Sequence, residues 1–265
     1  MNRLLPGLLL ATLWVFLLLK GPVWLVSLVV VMIAVVGGFE YARMALPRSA
    51  PGDRLALQLA IVLPVVLTGV LPGVGLVLGL FLSLFFLVLL VLIRYSQLAD
   101  GGGDLARMVL GVFYVGLLAA HLLLLTGLPD GRLWLLLLSV ATAGSDSAAY
   151  YSGRAFGRHK LCPLVSPKKT IEGALGGLVG GLAAALVAAV FLLPDVKWPV
   201  LLPLMAILIG VGIIGDLCES VLKRSMQVKD SGTLLAGHGG VLDRLDSLLL
   251  TAPFLYYFLM LGSGS

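Results

Sequence analysis

Residues 74–93 read VGLVLGLFLSLFFLVLLVLI, a run without a single charged side chain. At a rise of about 1.5 Å per residue, a helix of this length crosses the roughly 30 Å hydrocarbon core of a bilayer. The rest of the chain has the same character. Of its 265 residues 60% are hydrophobic and 12% charged, and the mean hydropathy is +1.11. Ordinary soluble domains carry about 25% charged residues. This composition excludes a soluble enzyme and predicts an all-α, polytopic membrane bundle. Working outward from 74–93, the spans are 4–19, 22–42, 55–71, 74–93, 106–126, 132–151, 172–193, 198–217 and 246–261, about nine in all. The connections are short, which predicts one bundle. Residues 1–130 read as a lipid-facing scaffold and 131–265 as a catalytic region with polar loops. The first run follows Arg3 as a signal peptide would, but no small-x-small cleavage site precedes Lys20-Gly21-Pro22, so it is read as a helix.

Nine spans put Lys20, Arg132 and Lys197 on one side of the membrane and the other fifteen of the eighteen Lys and Arg on the opposite side, with the N-terminus. The positive-inside rule makes the rich side cytoplasmic. Cys162 and Cys218 fall at cytoplasmic loops, lack metal-ligand spacing and read as reduced filler thiols.

Polar residues inside spans are costly and therefore informative. Asp146, in Ala143-Gly-Ser-Asp-Ser147, would cost about 2.5–3.5 kcal/mol at mid-membrane unless it faced a polar cavity or a cation. Glu40 reads as an interfacial residue paired with Arg43 or a headgroup, and Asp100-Gly-Gly-Gly-Asp104 as a flexible turn. His121 reads as an interfacial residue or one hydrogen-bonded within the bundle, rather than a ligand. The face Gly173-Ala-Leu-Gly-Gly-Leu-Val-Gly-Gly181 has small residues at four-residue spacing, which let helix backbones approach closely, within the bundle or between subunits.

Three constellations carry chemistry. Ser166-Pro-Lys-Lys-Thr-Ile-Glu-Gly173 reads as a Ser-capped helix start, with Lys168 and Lys169 beside amides that bind anions. Asp216, Glu219, Ser220 and Lys223 share one helical face and read as half of a metal–phosphate site. Gly237-His238-Gly239-Gly240 reads as an oxyanion-binding loop, followed by Asp243, Arg244 and Asp246. Oxygen-only ligands suit Mg²⁺ or a similar hard cation, with room for a second one.

These residues resemble the phosphatidate cytidylyltransferase (CDP-diacylglycerol synthase) family. The shared pattern runs through Ser220, Leu222, Lys223-Arg224, Lys229-Asp230, Gly232, Leu235, His238-Gly239-Gly240, Val241, Asp243-Arg244, Leu245 and Asp246. Ala236 departs from it, standing where Pro or Gly is usual. Asp146-x-x-Ala-Tyr, Gly153-Arg154, Gly157-Arg158 and Ser166-Pro-Lys-Lys-Thr-x-Glu-Gly173 extend the likeness upstream, so that it covers residues 140–250.

The resemblance implies transfer of the cytidylyl group of CTP to phosphatidic acid, Mg²⁺ dependence, a homodimer and metal-binding carboxylates on the last helices. The expected catalytic residues are Asp146, Asp216, Asp246, Lys223 and Lys168. The expected metal residues are Asp216, Asp246, Asp243, Asp146 and Glu219: Asp216 and Asp246 hold Mg²⁺, Asp146 and Asp243 are near-shell or second-cation ligands, and Glu219 orients a ligand or a lysine. Ser166, Lys168, Lys169, Thr170, Lys223, Arg224, Lys229, His238, Gly239 and Gly240 are expected to contact substrate. The expected partners are CTP, phosphatidic acid, membrane lipids and a second copy, with no nucleic acid. The expected location is a bacterial-type inner membrane with a cytoplasmic active site. Two rivals stay open: a CTP-dependent kinase of a lipid alcohol, and a secondary transporter whose acids mark an ion path.

Overall fold

The computed structural model describes residues 4–47, 49–97, 100–232 and 239–262. Among them, α1 (Leu4–Lys20), α2 (Val23–Ala45), α3 (Pro51–Val70) and α4 (Gly75–Arg94) precede a long rod. That rod is α5 (Gly101–Gly111), a π-helical turn (Val112–Leu117) and α6 (Leu118–Thr126). Then follow α7 (Gly131–Phe156), a hairpin of β1 (Lys160–Cys162) and β2 (Ser166–Thr170), α8 (Ile171–Leu192), α9 (Trp198–Ser225) and α10 (Leu242–Gly262). The fold is an all-α polytopic membrane bundle with one small antiparallel hairpin.

Each apolar run lies on one of these helices. Among the described residues, seven helices are long and apolar enough to cross a membrane. The other two are α1, with 17 residues, and α7, which turns polar around Asp146. The Trp14 indole N–H donates to Ser139 Oγ at 3.1 Å, and Arg132 donates to the Gly21 carbonyl at 2.7 Å. These contacts tie α1 and the residue that follows it to α7.

The bundle centres on α6, which packs on α2, α3, α7 and α10. Its residues from Leu118 to Leu123 are all buried. His121 is held as expected for a bundle residue, with Nδ1 2.8 Å from the Leu117 carbonyl. The outer surface stays apolar, with Phe81 and Phe85 on α4 and Val179 and Phe191 on α8 exposed. Such a surface suits lipid tails, because every helix satisfies its own backbone.

Three local expectations are corrected. Gly101–Gly103 is no flexible turn: it forms the first turn of α5, and the Asp100 carboxylate caps it by accepting the Gly103 N–H at 2.9 Å. Ser166 does not cap a helix. Ser166–Thr170 is extended, with Cys162 opposite Ser166 and Lys160 opposite Thr170. Pro167 disfavours the helical region for Ser166 and costs little in a two-stranded sheet, where each strand has a free edge. The helix instead starts at Ile171, with Thr170 Oγ1 accepting the Gly173 N–H at 3.1 Å. Glu40 is no interfacial residue: it is 3% exposed and serves a distant helix.

Candidate functional site

The small-residue face of α8 packs within the bundle, against α7. A Cβ on Gly180 would collide with that of Ala148, and one on Gly181 would press on the Ala141 carbonyl. This close approach fixes Asp146 on α7 relative to the hairpin that leads into α8. The turn before β1 is fastened by Glu172, which accepts the backbone N–H groups of Arg158 and His159 at 3.1 and 3.2 Å and lies 2.6 Å from His159 Nδ1.

Side chains alternate along β2. Lys169 therefore faces α9, where it ion-pairs with Asp216, while Lys168 on the other face is exposed. Thr170 was expected to contact substrate but is buried as the cap of α8. Arg224 is exposed and donates to the Val165 carbonyl at 3.4 Å, tying the end of α9 to the hairpin. Lys229 is exposed. Ser166 sits at the start of β2, and His238 lies outside the described residues.

Helices α9 and α10 meet through two glycines. A Cβ on Gly215 would sit 2.9 Å from the Asp246 carbonyl, and Ser247 Oγ donates to the Gly212 carbonyl at 3.0 Å. This contact brings Asp216 and Asp246 together. Asp246 is 8% exposed, and its Oδ1 accepts the N–H of Ser247 at 2.6 Å.

Beside this pair, Lys223 bridges Glu219 at 2.8 Å and Asp243 at 2.5 Å. Its ammonium is thus committed to two carboxylates. Asp243 is equally committed: its Oδ2 accepts the N–H of Gly240 at 2.8 Å and that of Ser231 at 3.0 Å. In this arrangement Asp243 holds the loop ahead of α10, and the Gly240 amide serves Asp243 where an oxyanion contact was expected. Gly239 has φ +79°, a left-handed conformation open to glycine, and a Cβ there would press on Asp243 Oδ2.

Glu40 completes this corner. Its carboxylate accepts the N–H groups of Val241 and Leu242, each at 3.0 Å, and lies 3.3 Å from Ser231 Oγ. An acid from α2 thereby caps α10. Sequence reasoning missed this role, although the cost of burying Glu40 was the available signal.

Charges from three helices act on one another at this end of the bundle. Asp216 and Asp146 repel each other, and Asp246 senses Asp216, Glu219 and Asp146. Lys169 and Arg244 offset Asp146. Among the described residues, no three acidic, His or Cys groups form a ready-made metal cluster. Two features nevertheless fit a divalent cation. The carboxylates outnumber their counter-ions, and Glu219 Oε1 is buried without a hydrogen-bond partner. A separate cavity of about 800 Å³ lies near the ends of α2, α4 and α9, lined by Asp53, Arg94 and Arg107 among others, and does not include these carboxylates.

A family model described as the cytidylyltransferase family matches residues 1–261. The chain belongs to the cytidylyltransferase family. The match reaches well beyond 140–250, into the N-terminal helices. A Bacillus subtilis phosphatidate cytidylyltransferase is 34% identical over 179 residues, covering 66% of each chain. A Brucella suis phosphatidate cytidylyltransferase is 43% identical over 150 residues, covering 56% of this cytidylyltransferase-family chain and 55% of its own length. An uncharacterised Escherichia coli protein, YnbB, is 43% identical over 144 residues, covering 53% of this chain and 48% of its own. The chain spans less than two thirds of the length of these curated relatives.

Proposed function

We propose that this chain transfers the cytidylyl group of CTP to phosphatidic acid, giving CDP-diacylglycerol and pyrophosphate in phospholipid biosynthesis. The observation that supports this reading is that Asp146, Asp216 and Asp246, carried on three different helices, lie close enough for their charges to act on one another, with Lys169 ion-paired to Asp216. The names borne by the Bacillus and Brucella relatives point to the same reaction.

The chemistry needs no general base. A phosphate-monoester oxygen of the lipid is already ionised near neutral pH. It attacks the α-phosphorus of CTP, a new P–O–P bond forms, and the bond to the β-phosphate breaks, so that pyrophosphate leaves with the electron pair. The obstacle is bringing two anions together. Lys169 and Arg244 sit at the acids and can transfer their attraction to incoming phosphates. Lys168 on β2, Arg224 at the end of α9 and Lys229 beyond it are exposed and can draw in both substrates.

Mg²⁺ is the cofactor of this reading. Asp216 and Asp246 would hold it, with Asp146 and Glu219 alongside, and it would neutralise charge on the triphosphate. Lys223 and Asp243 would fix the register of α9 against α10, and Glu40 the start of α10.

Nine spans, a cytoplasmic N-terminus and a cytoplasmic active site in a bacterial-type inner membrane belong to the same reading, supported by the fifteen-to-three division of cations. A homodimer also belongs to it. The dimer would use a surface other than the small face of α8, which α7 already covers.

The test is purified full-length protein with CTP, phosphatidic acid and Mg²⁺. Released pyrophosphate and a nucleotide-linked lipid are expected, and neither should form without phosphatidic acid. Uptake of a solute into proteoliposomes without CTP consumption would favour a transporter.

A further inference from the structure

The acid cluster has one more neighbour. Tyr114 lies on the π-helical turn Val112–Leu117 and is 6% exposed. Its hydroxyl is buried and has no hydrogen-bond partner. The charges of Glu219, Asp246 and Asp216 all act on it. Buried hydroxyls are almost always bonded, and an orphan costs about 1–3 kcal/mol.

The backbone explains how the ring gets there. A π turn adds a residue to a helical turn and re-aims the side chains on it, and such turns recur at functional sites. Gly111 before this turn and Gly116 within it let it press into the bundle. A Cβ on Gly111 would collide with the Tyr41 ring, and one on Gly116 would meet the Ile61 carbonyl.

The same cluster holds a second orphan, Glu219 Oε1. The Tyr114 hydroxyl can accept as well as donate, Glu219 Oε1 can accept, and they do not bond to each other. We infer that Tyr114 is a positioning residue of the acid cluster: its hydroxyl and Glu219 Oε1 share one small polar occupant, a water belonging to a divalent cation held by Asp216 and Asp246. The inference rests on the cytidylyltransferase reading and adds a residue from the first half of the chain to the site. That water would donate one proton to the Tyr114 oxygen and the other to Glu219 Oε1. Outer hydrogen bonds of this kind typically change metal affinity 10- to 100-fold.

Tyr114→Phe in the full-length protein tests it. The probe is Mn²⁺, with the free ion counted by electron paramagnetic resonance in the absence of substrates. The variant is expected to bind Mn²⁺ about 10-fold more weakly or worse. The Mg²⁺ concentration for half-maximal turnover should rise in step, while KM for phosphatidic acid at saturating Mg²⁺ stays unchanged. Metal-free thermal stability in detergent should hold or increase, because the lost hydroxyl had no partner. Equal Mn²⁺ binding by variant and wild type overturns the inference alone. Loss of folded Tyr114→Phe protein also overturns it, since it would mean that the hydroxyl is bonded within the fold. A wild-type chain that binds no Mn²⁺ overturns both this inference and the metal assignment beneath it.

Discussion

The Glu40 carboxylate on α2 accepts the N–H of Leu242, the first residue of α10, at 3.0 Å, joining positions 202 residues apart in sequence. Val241 and Ser231 share the same carboxylate. Glu40→Ala should strand these donors in a buried corner and lower stability by about 2 kcal/mol or more. Thermal unfolding in detergent checks this. Activity should fall as well, because the start of α10 carries Asp243 and Asp246. Glu40→Gln keeps an acceptor and should fall between the two.

Asp246 is buried among like charges, so its removal should separate stability from activity. Asp246→Asn is expected to reduce kcat/KM by more than about 100-fold, beyond the usual cost of disturbing a metal site's outer groups. It should also raise metal-free thermal stability by about 1–4 kcal/mol, the range for one close like-charge contact between bulk water and an intermediate dielectric. Full activity in Asp246→Asn would exclude that carboxylate from the chemistry. Asp216→Asn should behave differently in one respect, because it leaves Lys169 without its partner and so gains less stability.

The two lysines of β2 should not be equivalent. Lys169→Ala removes the cation that Asp216 holds in place, and a loss of about 10- to 100-fold in kcat/KM is expected, the size of a charged hydrogen bond. Lys168→Ala removes an exposed cation and should act mainly on substrate capture, with a loss that shrinks at high salt. Steady-state kinetics at two ionic strengths distinguishes them. Equal losses with equal salt dependence would contradict the strand geometry.

The α7–α8 contact offers a control on the scaffold. Gly180→Leu should force α8 off Ala148, costing about 1–3 kcal/mol and carrying Asp146 out of place. Gly210→Ala on α9 meets nothing within 4 Å and should gain up to about 1 kcal/mol from helix propensity. Unfolding temperatures and turnover of both variants, taken together, check this.

Much of this arrangement was legible in the chain. An uncharged run such as 74–93 has one economical solution in lipid, and the helices follow from it. Asp146, Asp216 and Asp246 stood out because carboxylates in apolar helices are costly. Their spacing along separate helices could not show that Gly212 and Gly215 draw α9 onto α10. The hairpin was missed because Ser-Pro before a helix also resembles a cap, and nothing local distinguishes the two. Lys223 was expected to meet substrate and Asp243 a cation, and nothing in the sequence signals that the two pair across α9 and α10. Glu40 and Tyr114 lay in what looked like inert scaffold, because a single polar residue does not reveal which distant helix it serves.

The most direct measurement follows the phosphorus. Full-length protein in proteoliposomes receives phosphatidic acid, Mg²⁺ and CTP labelled on either the α- or the γ-phosphate. Label from the α position should appear in a nucleotide-bearing lipid, and label from the γ position should leave as pyrophosphate. Transfer of γ-label to lipid, or no lipid labelling from either position, would contradict cytidylyl transfer.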